Sequence, residues 1–240
     1  MNKVVKNYLL NLEIKAGEKN RRNILKLLPD TKTKVSLLDL GCNDGAWTLE
    51  LGKKYKNVSL SGVEIVDENA EKARNGGINV KSFNLNEHFD YEDESFDIVH
   101  CNQVIEHLYD TDSFVSEVYR ILKTNGVFIV STVSLSSWHN IFSLLLGYQP
   151  FDLANISVKG NIGNPFSFWS GIETENSKHK SWQHLRLFTP YSLSDFLKRY
   201  NFGDIKVLTS GYYPFPDFFS AIDKKHSHYF AIRAKKSESI

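Results

Sequence analysis

The segment Leu37-Leu38-Asp39-Leu40-Gly41-Cys42-Asn43-Asp44-Gly45 decides the fold of this chain. The apolar residues from Val35 to Leu40 predict a strand that is buried on both faces, because they show no alternation with polar residues. A helix is predicted to begin at Ala46, directly after a turn that contains two glycines. Ligands of open α/β sheets bind outside the carboxyl ends of the strands, so this turn is expected to contact a ligand.

Two kinds of nucleotide-binding turn compete as interpretations of this segment. A dinucleotide fingerprint would use Gly41, Asn43 and Ala46, and it would lack the central glycine that lets the backbone approach a pyrophosphate. The motif Asp39-Leu-Gly41-Cys-Asn43-Asp-Gly45 instead resembles the first motif of the class I S-adenosylmethionine-dependent methyltransferases, with Asn43 at the middle glycine. The resemblance implies that Asp39, Gly41, Asn43 and Gly45 hold the methionine part of that cofactor. A strand, turn and helix that bind no ligand are the remaining alternative.

A second strand is predicted from Val58 to Val63, and it ends at an acidic residue. The resemblance implies that Glu64 accepts both ribose hydroxyls of the cofactor and that Ile65 also belongs to the cofactor site. A carboxylate suits a vicinal diol because both hydroxyls are donors. The alternative is that Glu64 caps the helix that begins near Asp67, since carboxylates favour helix N-termini.

A third strand is predicted from Ile78 to Phe83. Asn84 and Leu85 follow it, at the place where the family usually has an acidic residue that faces the adenine amino group. Asn84 keeps an acceptor oxygen but carries no charge, and Leu85 could offer its backbone N–H to the ring. Both residues are therefore expected in the cofactor site.

The part of the chain from Ser95 to Val133 carries a second resemblance. Phe96 to Asn102 predict a fourth strand, and Asn102 at its end is expected to contact the cofactor. The elements predicted after it are a helix from Phe114 to Leu122, ended by Asn125-Gly126, and a fifth strand from Val127 to Val133. This order resembles the small-molecule methyltransferases that include the ubiquinone-biosynthesis O-methyltransferases.

The turn Gln103-Val104-Ile105-Glu106-His107 contains the first candidate for catalysis. Some members of the subgroup carry Glu-x-x-Glu-His here as a divalent-metal site, but Gln103 replaces one carboxylate, and no metal is predicted because hard cations prefer carboxylate oxygens. His107 is a candidate catalytic base, since imidazole titrates near neutral pH. The alternative is that His107 only shapes the pocket.

A long insertion is predicted after the fifth strand, and it is rich in aromatic residues. Its aromatic and histidine residues are Trp138, His139, Phe142, Tyr148, Phe151, Phe166, Phe168, Trp169, Trp182 and His184. This composition fits a lid or a pocket wall for a flat or apolar acceptor, or else a small core or a dimer contact. His184 is a second candidate for catalysis, with a structural latch as its alternative. The loop from Tyr212 to Phe219 is a further candidate for the acceptor wall.

The resemblance implies an α/β fold. The expected architecture is a Rossmann-like seven-stranded methyltransferase sheet, mostly parallel with one antiparallel strand and with helices on both faces. The predicted parts are leading helices in residues 1–33, separated in two near Gly17, a cofactor-binding core in 34–134, an insertion or acceptor lid in 135–189, and the completion of the sheet in 190–240.

Composition narrows the possible partners. The chain has 240 residues, with 29 Lys and Arg against 28 Asp and Glu, so the net charge of +1 predicts no nucleic-acid partner. Cys42 and Cys101 do not form a disulfide framework. The N-terminus resembles no signal peptide, and no run approaches the roughly 20 apolar residues of a membrane span, so we expect a cytoplasmic protein without an integral membrane segment. A homodimer is possible.

These observations predict a methyltransferase that uses S-adenosylmethionine to methylate a small molecule, at oxygen in preference to nitrogen or carbon. Two other classes of protein stay open. A nicotinamide-dependent oxidoreductase would use the same first strand and Glu64. A non-catalytic protein that binds S-adenosylmethionine would explain the departures from the motifs at Asn43, Asn84 and Gln103.

Overall fold

The computed structural model describes residues 3–157, 160–165, 167 and 183–237. The chain divides into two compact units. The larger unit contains the described residues within 24–130, 194–206 and 232–240. The smaller unit contains those within 1–23, 131–193 and 207–231.

Helices and strands alternate along most of the described chain. The helices are α1 (Lys3–Leu27), α2 (Ala46–Gly52), α3 (Asp67–Asn75), α4 (Thr111–Ile121), α5 (Trp138–Leu145), α6 (Pro190–Arg199) and α7 (Phe219–Ile222). The strands are β1 (Val35–Leu40), β2 (Val58–Val63), β3 (Asn79–Lys81), β4 (Phe96–Asn102), β5 (Leu122–Val133), β6 (Phe202–Ser210) and β7 (Tyr229–Lys236). Within the described residues, no helix is both long and apolar enough to cross a membrane.

The strands form one seven-stranded sheet in the order β3-β2-β1-β4-β5-β7-β6. Strand β1 pairs in parallel with β2 and with β4, and the sheet as a whole is mostly parallel with an antiparallel pairing. Parallel strands buried on both faces are expected to be continuously apolar, and Leu37, Leu38 and Leu40 of β1 are fully buried. The predicted α/β fold class is therefore confirmed.

Aromatic side chains fill the core of the larger unit. The ring of Phe114 lies 5.9 Å from that of Phe89 and 6.3 Å from that of Phe128, measured between centroids, and both pairs meet edge to face. All three side chains are fully buried. Burial of each such side chain contributes about 1.5–3 kcal/mol to stability, so this cluster is a main source of stability in the unit.

The register of β1 determines which loops meet at the carboxyl edge of the sheet. Leu40 pairs with Val63 of β2 and with Cys101 of β4. The chain segments that leave these three strands, beginning at Gly41, Glu64 and Asn102, therefore start side by side. Most of the residues predicted to bind the cofactor lie on these segments.

Two predictions about the elements were wrong. Residues 3–27 form a single helix, and Gly17 lies inside it, where a glycine costs about 1 kcal/mol relative to alanine but does not end a helix surrounded by good helix formers. Helix α4 ends at Ile121, and β5 begins at Leu122, so Asn125-Gly126 does not end the helix. Asn125 has a φ of 67° and makes a left-handed step inside β5.

Candidate functional site

The turn after β1 adopts the left-handed conformations that its sequence predicts. The φ angles are 80° at Gly41, 50° at Asn43 and 81° at Gly45, and glycine and asparagine are the residues that adopt such angles most readily. The backbone N–H groups of Gly41 and Cys42 both donate to the Val63 carbonyl, at 2.8 and 3.0 Å. These bonds hold the turn against the end of β2.

Neighbouring side chains explain why these two positions are glycines. A Cβ atom on Gly41 would lie 2.5 Å from Cγ2 of Val104, and one on Gly45 would lie 2.5 Å from Cδ1 of Ile78. Both distances are far shorter than a van der Waals contact. The close approach that these two glycines permit is made by the protein's own side chains.

Asp39 is buried below this turn, with 2 % of its surface exposed. One carboxylate oxygen accepts a 2.6 Å bond from the Thr48 hydroxyl, and the other lies 2.7 Å from Nδ1 of His100. Thr48 belongs to α2 and His100 to β4, so Asp39 joins three elements around the turn. The geometry gives Asp39 a positioning role, in which it supports the turn from below.

Glu64 lies beside the turn at the end of β2, and its carboxylate is held by the backbone. One oxygen accepts from the N–H of Asn43 and the other from the N–H of Val66, each at 2.9 Å. A carboxylate has about four lone-pair positions, so each oxygen can still accept one hydroxyl. The residue is 9 % exposed, and its two backbone contacts fix the orientation of the carboxylate.

The other residues predicted to bind the cofactor after β2 and β3 have different environments. Ile65 follows Glu64 and is 56 % exposed, whereas Leu85 is 9 % exposed. The side-chain oxygen of Asn84 accepts from the backbone and side-chain nitrogens of Asn86, at 3.1 and 3.0 Å. Asn84 is therefore engaged in a local turn as well as placed after β3.

The segment after β4 contains the first catalytic candidate. Asn102 is half-buried at the end of the strand, and Gln103 follows it with a φ of 56°. A 3₁₀ turn, Ile105–His107, then presents a half-buried His107 next to a fully buried Glu106. A ring nitrogen of His107 and a carboxylate oxygen of Glu106 lie within 4.8 Å of each other.

Both cysteines belong to this unit, and both are buried. Burial, followed by the charges of Asp39 and Glu64, raises the pKa of the Cys42 thiol to about 12. Burial raises the pKa of Cys101 well above its ordinary value. Neither cysteine forms a disulfide.

His184, the second catalytic candidate, belongs to the smaller unit. Its Nδ1 forms a hydrogen bond with the Asp152 carbonyl. A carbonyl oxygen only accepts, so Nδ1 carries the proton and Nε2 is the acceptor of the neutral ring. Among the other insertion aromatics, Phe166, Phe168, Trp169 and Trp182 lie outside the described residues.

The smaller unit also contains a cluster that the sequence interpretation did not find. Nε2 of His139 lies 3.0 Å from one oxygen of Asp152, and Nε2 of His228 lies 3.1 Å from the other. The three residues are separated by 13 and 76 positions along the chain. No spacing motif marks such a set, although His139 stands among the aromatic residues noted in the insertion.

Comparison with known proteins agrees with this description. Residues 12–207 match the family model described as "Methyltransferase domain". The human mitochondrial ubiquinone biosynthesis O-methyltransferase is 27% identical over 154 residues, which cover 58% of this chain and 40% of that protein. The ajmaline N-methyltransferase of Rauvolfia serpentina is 31% identical over 109 residues, which cover 42% of this chain and 37% of that protein. The chain thus aligns with less than half the length of each.

A solved structure from Thermotoga maritima has the same fold. It is described as an S-adenosylmethionine-dependent methyltransferase and possible histamine N-methyltransferase. The TM-score is 0.63 at 21% identity, and the match covers 97% of this chain and 94% of that one. The sheet order, the turn after β1 and the family match over most of the chain agree: this chain belongs to the Methyltransferase domain family.

Proposed function

We propose that this protein is a methyltransferase that uses S-adenosylmethionine to methylate a small-molecule acceptor at a hydroxyl oxygen. The observation that carries the proposal is the Glu64 carboxylate, which two backbone N–H groups orient at the end of β2 beside the turn. Its remaining lone pairs fit the two hydroxyls of a ribose. The family match and the names of the relatives support the same activity.

The residues of the larger unit would divide the work of binding. Gly41, Asn43 and Gly45 would shape the backbone around the methionine part, while Glu64 would hold the ribose. Asp39, Ile65, Asn84, Leu85 and Asn102 complete the predicted cofactor-binding set. When bound, the cofactor supplies an electrophilic sulfonium methyl group, and the protein's contribution would be orientation and exclusion of water.

The choice of oxygen rests on two arguments. Relatives from several organisms carry the name ubiquinone biosynthesis O-methyltransferase. An attacking hydroxyl must also lose its proton, and His107 is the predicted base, with His184 as the second candidate. The insertion, residues 135–189, remains the predicted acceptor-binding segment.

The cofactor is tested first by thermal unfolding. The protein is titrated separately with S-adenosylmethionine, S-adenosylhomocysteine and NAD, and the shift in Tm is recorded. Ligand at a hundred times its Kd stabilises by roughly 2.7 kcal/mol, so both adenosyl compounds should raise Tm while NAD should not. A shift with NAD alone would indicate a nicotinamide-dependent enzyme.

The acceptor atom is tested with methyl-¹³C-labelled S-adenosylmethionine and a panel of phenols, alcohols and amines. NMR spectroscopy and mass spectrometry of the products identify the methylated atom. We expect products from the phenols. Labelled N-methyl products alone would contradict the choice of oxygen, and cofactor binding without any product across the panel would favour the non-catalytic alternative.

His107→Ala tests the proposed base. The variant should keep the Kd for S-adenosylmethionine and lose turnover by about 10²–10⁴-fold, which is the usual contribution of a general base. His88→Ala is the matched control, since the side chain of His88 is 75% exposed. Normal methyl transfer by His107→Ala would show that His107 only shapes the pocket.

A further inference from the structure

The smaller unit encloses a cavity of about 270 Å³. Most of its wall is apolar or aromatic, and the polar part of the wall includes two carboxylates, two imidazoles and the hydroxyl of Ser143. The lining residues used below are Glu13, His139, Phe142, Tyr148, Asp152 and His228. Phe142 is 48 % exposed, so the cavity has an apolar side that solvent can reach.

Both carboxylate oxygens of Asp152 accept hydrogen bonds from other side chains of the protein. It accepts from Nε2 of His139 at 3.0 Å, from Nε2 of His228 at 3.1 Å, and from the side-chain amide of Asn140 at 2.8 Å. Burial alone would raise the pKa of this carboxyl, but His228 and His139 outweigh burial and hold it well below its usual range. Asp152 is therefore a charged part of the wall that needs no further donor.

Glu13 differs from Asp152, because no described residue gives its carboxylate a hydrogen bond or an ion pair. Lys19, on the same helix, is bonded to Asp217 and Ser220. Among the described residues, no lysine or arginine lines the cavity. Burial raises the pKa of Glu13 to about 7, with a smaller opposing effect of His228, so above that pH Glu13 adds a negative charge to the wall.

The two histidines add acceptors. A carboxylate only accepts, so both Nε2 atoms carry hydrogens, and Nδ1 is an acceptor whenever such a ring is neutral. Burial lowers the pKa of His139, which keeps that ring neutral at pH 7. Within the described chain, Nδ1 of His139 and Nδ1 of His228 are buried and have no hydrogen-bond partner. Unpaired buried polar atoms are costly, so a donor is the favoured complement of this cluster.

We propose that this cavity binds an apolar amine, whose ammonium group pairs with the Glu13 carboxylate and whose body packs against Phe142 and Tyr148. Carboxylates and aromatic faces are the two surfaces that recognise an organic ammonium ion. An acid would meet two carboxylates, and a neutral alcohol would leave the Glu13 charge unbalanced. The proposal concerns binding alone and does not depend on methyl transfer.

A metal ion is the competing occupant of this cluster. His139, Asp152 and His228 offer three ligand atoms within 4.8 Å of one another. Histidines that ligate a metal normally donate their other N–H to a carboxylate or carbonyl. Neither Nδ1 has such a partner in the described residues, and both Asp152 oxygens already accept hydrogen bonds, so an organic donor is favoured.

The proposal is tested with three ligands of similar shape and different charge. 2-Phenylethylamine, 2-phenylethanol and 3-phenylpropanoate are titrated into the full chain at pH 8 without cofactor, and each Kd is measured by calorimetry. We expect the amine to bind about tenfold or more tightly than the alcohol, because a partly desolvated ion pair is worth more than an exposed one. Equal affinities, a preference for the acid, or no binding at millimolar concentration would overturn the proposal.

Variants locate the site. Glu13→Gln should weaken the binding of the amine about tenfold and leave the Kd of the alcohol unchanged. Glu18→Gln removes an exposed carboxylate from the same helix and should change neither Kd. Phe142→Ala should weaken amine and alcohol equally, since it removes apolar contact without changing charge. Full amine binding by Glu13→Gln would overturn the assignment, whatever Phe142→Ala does.

Discussion

Asp39 shows how a motif residue can support its turn through contacts within the protein. Its carboxylate is buried and bonded to Thr48 and His100. Asp39→Asn keeps the size of the side chain but replaces one acceptor oxygen by a donor, so at least one of these bonds is weakened or must reverse its direction. We expect the free energy of unfolding in urea to fall by about 2–3 kcal/mol.

The same variant should weaken S-adenosylmethionine binding, because the turn that Asp39 supports would be less well ordered. Glu68→Gln is the control, since Glu68 makes an exposed pair with Lys72 on α3 and such pairs contribute little. If Asp39→Asn unfolds like the unchanged protein, the carboxylate does not support the turn.

The titration of Glu13 should make the free energy of unfolding depend on pH. Burial raises its folded pKa to about 7 from 4.5, with Asp152 raising it further and His228 lowering it. A raised folded pKa contributes stability that is complete below the unfolded pKa, near pH 4.5, and is lost as pH rises through 7. Glu13→Gln removes this loss, so the variant should be more stable than the unchanged protein at pH 8, on the order of 2 kcal/mol, and nearly equal at pH 5.

The measurement is thermal unfolding at the two pH values, with Glu18→Gln as the control. If Glu13→Gln and the unchanged protein differ in Tm by the same amount at pH 5 and at pH 8, the raised pKa of Glu13 is contradicted. The comparison also separates stability from binding, because a variant that is stabilised at pH 8 and still fails to bind an amine has lost a contact rather than its fold.

Gly45, in the turn between β1 and α2, and Gly77, after α3, should differ in how much stability a substitution by alanine costs. Gly45 and Gly77 have similar φ angles, 81° and 89°. A Cβ on Gly45 would collide with Ile78 and come within 3.0 Å of the Ala73 Cβ, whereas nothing lies within 4 Å of one on Gly77. Gly77→Ala should therefore cost only backbone strain, about 1–2 kcal/mol, and Gly45→Ala distinctly more.

Urea unfolding of both variants measures this difference, and calorimetry with S-adenosylmethionine measures its consequence for the turn. We expect a loss of cofactor affinity in Gly45→Ala alone. Equal unfolding free energies for the two variants would mean that Ile78 and Ala73 can move aside at little cost.

The sequence predicts the strands better than the helix boundaries. The limits of β1, β2 and β4 agree with the prediction to the residue, because each is a short segment rich in apolar residues that is followed by a polar turn. The length of α1 was missed because glycine can either end a helix or lie within one. The end of α4 was wrongly predicted at Asn125-Gly126, because such a pair can either end a helix or form a left-handed step within a strand.

The cofactor site could be predicted from the sequence, whereas the cavity of the smaller unit could not. The predicted cofactor residues follow successive strands, so parallel pairing alone brings them to one edge. The acidic cavity draws on Glu13, His139, Asp152 and His228, which no periodicity connects. Only the fold of the chain brings such residues together, so only the structure could reveal them.

The net charge gives a prediction for the whole chain. A charge of +1 provides almost no long-range attraction for a phosphate backbone. In a gel-shift assay at 50 mM salt, micromolar protein should leave both duplex DNA and a structured RNA unshifted. A salt-sensitive shift would mean that the basic residues are clustered enough to act as a nucleic-acid surface.

The burial of both thiols makes them reporters of opening. Thiolates react and thiols do not, so Cys42 and Cys101 should be alkylated by iodoacetamide only when the larger unit opens. The labelling rate would then measure how often the unit opens under native conditions. S-Adenosylmethionine should slow the labelling of Cys42, which lies in the turn itself, and fast labelling that the cofactor does not change would show that the turn opens without the rest of the unit. The labelling rates of Cys42 and Cys101 would in this way report how often the site opens.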